Sequence, residues 1–166
     1  MMKKQLFLLL TAVLMCLPMF AGPKNKAKKD TEHFRYELEC AGNGTQGTYL
    51  IKVWSYSKNK NVATEQCKKN AVHGVIFKGF TGGEGCVGQR ALVSRAGAEV
   101  EYKEYFDLFF SDKGEYYKYV SVTSSASEII KVGKEYKVGM IVSIQKDELR
   151  KALEQAGVVR GLNSGF

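Results

Sequence analysis

Local metal-binding spacings are missing from this chain. Among its four cysteines and two histidines there is no Cys-x-x-Cys and no His-x-x-x-His, so no short segment sets two donors on one ion. No Gly-x-Ser-x-Gly occurs, which removes the nucleophile elbow of an α/β-hydrolase. The glycine-rich stretch of residues 79–88 (Gly79, Gly82, Gly83, Gly85, Gly88) lacks the Lys-Ser/Thr ending of a phosphate loop. No helix start follows it, since Gly88-Gln89-Arg90 runs into Ala91-Leu92-Val93, and it reads as a mobile or interaction loop. His73 lies six positions from Cys67, about 240° around a helix, so the two form no local dyad and His73 reads as structural. Acidic residues are scattered over helix faces, where solvated roles explain them. No catalytic, cofactor-binding or metal-binding residue is therefore assigned, and the expectation is a protein that is not an enzyme.

Long apolar runs are also scarce. The one near the start, residues 6–17, is broken only by Thr11, follows Lys3 and Lys4, and ends at Pro18 with Ala21-Gly22 behind. That is the layout of a secretory signal peptide, 1–21, and it is too short to span a bilayer comfortably. Cys16 follows Val13-Leu14-Met15, and two bulky residues before a cysteine argue against lipoprotein processing. Residues 22–31 form a basic linker and 32–162 a single domain. No transmembrane segment is expected in the mature chain, which is read as exported, periplasmic or associated with the outer membrane.

Of the net charge of +8, Lys3 and Lys4 carry two and the tail of Lys24, Lys26, Lys28 and Lys29 against Asp30 carries three. The domain is left close to neutral. Nucleic acid is a poor partner for such a chain, because no single element bears a basic patch. The Lys24 to Lys29 tail is a solvated spacer by default, with peripheral contact to an anionic envelope surface as its sharper role. Three cysteines remain beyond the leader. If Cys67 is a buried helix residue, Cys40 and Cys86 are the pair left for a disulfide, and a chain with no disulfide is the alternative.

The clearest unit is a strand over 49–56, rich in aromatic and β-branched residues, followed by a helix over 62–78. Ala63, Cys67, Asn70 and Gly74 make a stripe of small residues, which predicts a helix lying close to the sheet beside large side chains such as Trp54. Residues 33–40 alternate as a half-buried strand and form a hairpin with 49–56. Residues 98–110 predict an amphipathic helix, and 115–122 a short helix or an irregular arm. Two strands hinged at Gly133 follow, and then a helix capped by Asp147 and stopped by Gly157.

Gln46-Gly47-Thr48-Tyr49-Leu50-Ile51-Lys52-Val53-Trp54, together with Cys67-Lys68-Lys69-Asn70-Ala71-Val72-His73-Gly74-Val75-Ile76-Phe77-Lys78-Gly79, resembles exported bacterial envelope proteins. The order of strand, small-residue helix and late strand Val138-Gly139-Met140-Ile141-Val142-Ser143-Ile144 resembles lipoprotein-associated and FlgT-like N-terminal modules. The resemblance implies an α+β envelope module that acts by protein contacts, with another envelope protein or itself as partner, and carries no catalytic motif. The expected architecture is a mainly antiparallel sheet of about four strands, two helices on one face and an aromatic helical insert. The surface offered to a ligand or partner is assigned to Tyr102, Tyr105, Tyr116, Tyr117 and Tyr119 with Gly82 and Gly83. A glycan, peptide or small-ligand site on the tyrosines is the alternative to protein contact.

Overall fold

The computed structural model describes residues 34–83, 85–123 and 127–161. The segments read from the sequence as a signal peptide and a basic linker, with Lys24 to Lys29, lie outside them. Five strands form one antiparallel sheet: β1 (Tyr36–Gly42), β2 (Thr48–Ser57), β3 (Val120–Val122), β4 (Glu128–Val132) and β5 (Glu135–Gln145). The order is β1-β2-β5, with β3 and β4 both on the far side of β5. β3 pairs with residues 142–144 of β5 and β4 with 135–139, so the sheet is four strands wide and its last position is shared. The helices are α1 (Lys60–Phe77), α2 (Ala98–Glu101), α3 (Lys103–Phe109), a 3-10 turn (Glu115–Tyr119) and α4 (Lys146–Gln155). The chain is of the α+β class.

Two turns set the hairpins. Between β4 and β5, Gly133-Lys134 is a two-residue connection closed by Val132 opposite Glu135. Gly133 has φ +62°, a conformation that glycine takes without a Cβ clash and that suits a tight hairpin. Between β1 and β2, Thr45 carbonyl accepts from both the Thr48 amide (2.9 Å) and the Thr48 hydroxyl (2.8 Å).

Side chains alternate between the two faces. Ile51, Val53 and Ser55 of β2 register with Val142, Met140 and Val138 of β5, and all six are buried. α1 covers this face. The Asn59 side chain accepts from the Asn61 amide at 3.0 Å and caps its start, which meets one of the first-turn amides left without a partner. The small stripe then settles onto the strands. Asn70 Nδ2 donates to Ser55 Oγ at 2.7 Å, the Cys67 thiol donates to the Val138 carbonyl at 3.4 Å, and a Cβ on Gly74 would sit 2.2 Å from Leu38 Cδ1. α4 adds the fully buried Leu149 and Leu153 to the same core.

Trp54 does not stand beside α1, as the sequence led us to expect. It registers opposite Gly139 and Glu37, on the face that no described helix covers. The close approach of α1 depends on β-branched and serine partners instead. On the open face long side chains replace a second layer. Trp54 Nε1 donates to Glu39 Oε1 at 3.0 Å, and Lys52 and Lys137 lie 4.4 and 4.8 Å from its ring. Lys52 donates to Glu128 and Lys137 to Glu37, each at 2.7 Å, and Tyr56 OH donates to Glu37 at 2.6 Å. Hydrogen bonds from Lys137 and Tyr56 hold the Glu37 carboxyl below its ordinary range. Arg35 grips Glu135 with two bonds of 3.0 and 2.9 Å. Such amphipathic side chains shield Trp54 with their stems and keep their charges wet.

Three local expectations are corrected. The aromatic stretch forms two short helices, α2 and α3, because the chain breaks at Tyr102 (φ −100°, ψ 30°), whose hydroxyl donates to the Gly157 carbonyl at 2.9 Å. Of residues 115–122, the first five form the short helix expected, as the 3-10 turn, but the last three form β3, so the insert supplies part of a sheet edge. Asp147 is not the cap of the last helix. Helix α4 begins at Lys146 after Gln145, and Asp147 and Glu148 occupy its first turn, where their charge favours the positive end of the helix.

Candidate functional site

A cleft of about 590 Å³ opens between α1 and the α2–α3 segment. Its apolar wall is Phe34, Phe106 and Phe110 with Val100, and its charged groups are Lys69 and Lys103 against Glu99 and Asp107. Lys103 and Asp107 are ion-paired with each other along α3. The volume falls within the range of small-ligand sites, and the mixture of aromatic wall and a few polar groups is characteristic of them.

Beneath the cleft lies His73, 4% exposed. Phe34 stacks on its ring at 3.7 Å and 17°, and Phe77 and Phe110 follow at 4.9 and 5.5 Å. Both ring nitrogens are used. Nε2 is 3.0 Å from Glu99 Oε1 and Nδ1 is 2.7 Å from Tyr36 OH. Burial lowers the His73 pKa, a shift that the Glu99 bond partly opposes, so the ring is neutral near pH 7. A carboxylate can only accept, so the single ring proton sits on Nε2 and Nδ1 accepts from Tyr36. Burial, and then the charge of Glu99, raises the Tyr36 pKa, which keeps that phenol protonated. The result is a directed chain, Tyr36 to His73 to Glu99, ending on a half-exposed carboxylate at the cleft. Phe34, whose ring forms part of the wall, has φ +47°, a conformation that is costly for a bulky residue and recurs at functional sites.

The sequence-assigned surface residues do not come together on this cleft. Tyr116 is buried, Tyr102 is tied to Gly157, and Tyr119 and Tyr105 stack on Phe109 at 6.0 and 5.7 Å. Burial pushes Tyr105 and Tyr116 up to about 12. Tyr117 is the outlier, 44% exposed. Its hydroxyl accepts from Lys68 Nζ at 2.6 Å, and its ring borders a separate recess of about 390 Å³. Gly82 and Gly83 lie in a small hairpin, with Phe80 bridged to Gln89 and Gly83 to Cys86. A disulfide joins Cys86 to Cys40 of β1, with Cα atoms 6.1 Å apart. Gly79 turns the chain into that hairpin with φ +69°, where a Cβ would meet the Gln89 carbonyl at 2.2 Å. Cys67 is free and fully buried, and burial pushes its thiol up to about 11. The Tyr36–His73–Glu99 chain had no signal in the sequence, because its members come from three separate elements.

A second feature stands apart from the cleft. Every residue of β4 is exposed, and Ile129, Ile130 and Val132 are 47%, 47% and 50% exposed. The outer edge of β4 pairs with no described strand. Among the described residues no helix is long and apolar enough to cross a membrane, and no group of three His, Cys, Asp or Glu side chains is placed to hold a metal ion. The chain matches no known family model, curated protein or solved structure.

Proposed function

We propose that this is an exported, non-enzymatic envelope domain that works by protein contact, pairing edge to edge through β4 with a second copy of itself. The observation that carries the reading is the exposure of Ile129, Ile130 and Val132 on a strand edge that pairs with no described strand. Natural edges are commonly blunted by charge or proline. Here β4 has no proline, Glu128 is ion-paired with Lys52, and Lys131 is the other charge on the strand. An antiparallel pair centred on Ile130 sets Ile130 opposite Ile130 and Glu128 opposite Val132, and no like charges face each other. Each half-exposed Ile or Val contributes roughly 1 kcal/mol on burial, against an association cost of about 4–15 kcal/mol. The expected dimer is weak and depends on concentration. Sedimentation equilibrium should show it forming as the protein is concentrated and disappearing with Ile130→Lys, while Ile130→Val retains it. A monomer at every concentration, or a dimer indifferent to Ile130→Lys, refutes the reading.

A further inference from the structure

We propose that Asn43 is a self-modification site, where the folded domain turns a side-chain amide into a carboxylate through a cyclic imide formed with Gly44. Asn43-Gly44 is the only Asn-Gly step in the chain. It follows β1, and both residues are exposed. The bonds of the β1–β2 turn begin one residue later, at the Thr45 carbonyl that holds Thr48. Among the described residues no hydrogen bond holds the Asn43 side chain or the Gly44 amide, so neither reacting group has a bond to break first. Asn59 and Asn70 are placed differently. Asn59 caps α1 with its side chain, Asn70 Nδ2 donates to Ser55 Oγ, and the amide that follows Asn70 lies inside α1.

The fold also fixes the neighbour that makes the step easy. A Cβ on Gly44 would sit 2.6 Å from Thr48 Oγ1 and 2.8 Å from the Thr48 carbonyl oxygen, so the turn requires glycine after Asn43. Without a Cβ, glycine leaves its own nitrogen the least obstructed. In the step, the Gly44 nitrogen gives up its proton and bonds to Asn43 Cγ. The Cγ–Nδ2 bond breaks, and ammonia leaves with that proton. Water then opens the imide ring. Cleavage at Cγ gives aspartate, and cleavage at the main-chain carbonyl carbon gives isoaspartate. The sum is amide plus water to carboxylate plus ammonium, and nothing is oxidised or reduced. The turn accommodates the product. Position 43 lies beyond the last β1–β2 pair, Gly42 with Leu50, so the extra main-chain carbon of isoaspartate shifts no strand register. Asn43 also lines a recess of about 170 Å³ together with Lys146. Lys146 lies 4.9 Å from the Tyr49 ring and pairs with no described carboxylate, so the new charge arises near one of opposite sign.

The test holds the folded protein at mildly alkaline pH, in ordinary water and in water labelled with heavy oxygen, and reads its digested peptides by mass. The peptide carrying residue 43 should gain about 1 Da in ordinary water and about 3 Da in labelled water. An isoaspartyl methyltransferase should label that peptide, because direct hydrolysis of the side-chain amide yields aspartate alone. Conversion at residue 43 should run at least about tenfold faster than at any other asparagine. Asn43→Gln, whose ring closure needs one more carbon, should remove the product, and its far-ultraviolet circular dichroism reports that the variant is folded. The proposal is overturned if residue 43 yields no product in the folded protein, if the product is aspartate alone, or if another asparagine converts as fast. Dimer formation through β4 is read separately by sedimentation, so either proposal can fail without the other.

Discussion

Gly139→Ala tests the account of the open sheet face. A Cβ built on Gly139 lands 2.5 Å from Trp54 Cζ3, 2.6 Å from Cε3 and 2.8 Å from Cη2, well inside contact distance. The ring has little room to retreat, with Nε1 bonded to Glu39 and the Lys52 and Lys137 ammoniums on it. Nor can the strand, which is paired with β2 on one side and β4 on the other at this position. Forcing a methyl into a packed site costs about 1–3 kcal/mol. Replacing glycine by alanine inside a strand recovers about 0.5–1 kcal/mol of backbone entropy. The net expectation is destabilisation of about 1 kcal/mol. In a Trp54→Leu background the ring is gone, and the same substitution should become neutral or stabilising. Urea unfolding followed by far-ultraviolet circular dichroism gives all four corners of the cycle. Trp54 is the only tryptophan, so its emission should also change in Gly139→Ala. A Gly139→Ala protein at least as stable as the parent, or a cost that persists in Trp54→Leu, refutes the reasoning.

Two further outcomes follow from buried titratable groups. The folded-state pKa of His73 lies below its ordinary 6.5, so the unfolded chain takes up the proton first as pH falls. Stability is full above about pH 6.5 and declines below it, and that decline should flatten in His73→Gln when unfolding midpoints are compared between pH 7.5 and 5; a slope identical to the parent's sinks the assignment. For Cys67, buried and with its thiol pushed up to about 11, a protein without residues 1–21 should show no fast reaction with a disulfide-exchange reagent when native and one reactive thiol in urea without reductant; rapid labelling of the native protein counts against both the burial of Cys67 and the Cys40–Cys86 bond.

Much of the fold was legible. The alternation in β2 and β5 and the turn residues around Gly133 are local signals, and they located the strands. The face of Trp54 was not legible from β2 alone, because Tyr49, Leu50, Ile51, Val53, Trp54 and Tyr56 put bulk on both sides. The information lay on the neighbours: Glu37 and Glu39 in β1 and Lys137 in β5 mark the face that meets water, and Gly139 marks the hole for a large ring. β3 is three residues long and takes its strand geometry from β5, not from its own pattern. The site was less legible still. Tyr36 and Glu99 lie 37 and 26 positions from His73, so no spacing could announce them, and the tyrosines that drew attention are mostly spent on packing.

The shared edge of β5 bears on how the domain comes together. β1 with β2 and β4 with β5 are local hairpins, which close quickly, but an isolated hairpin is marginal in water. Their union is the pairing of β2 with β5, running from Thr48 opposite Gln145 to Ser57 opposite Tyr136, and it encloses α1, the disulfide-tied hairpin and the whole aromatic segment within a single loop. Contacts that remote in sequence are slow to form, and the loop entropy is lost before they reward it. Neither hairpin is therefore expected to fold alone, and both depend on the central seam between β2 and β5.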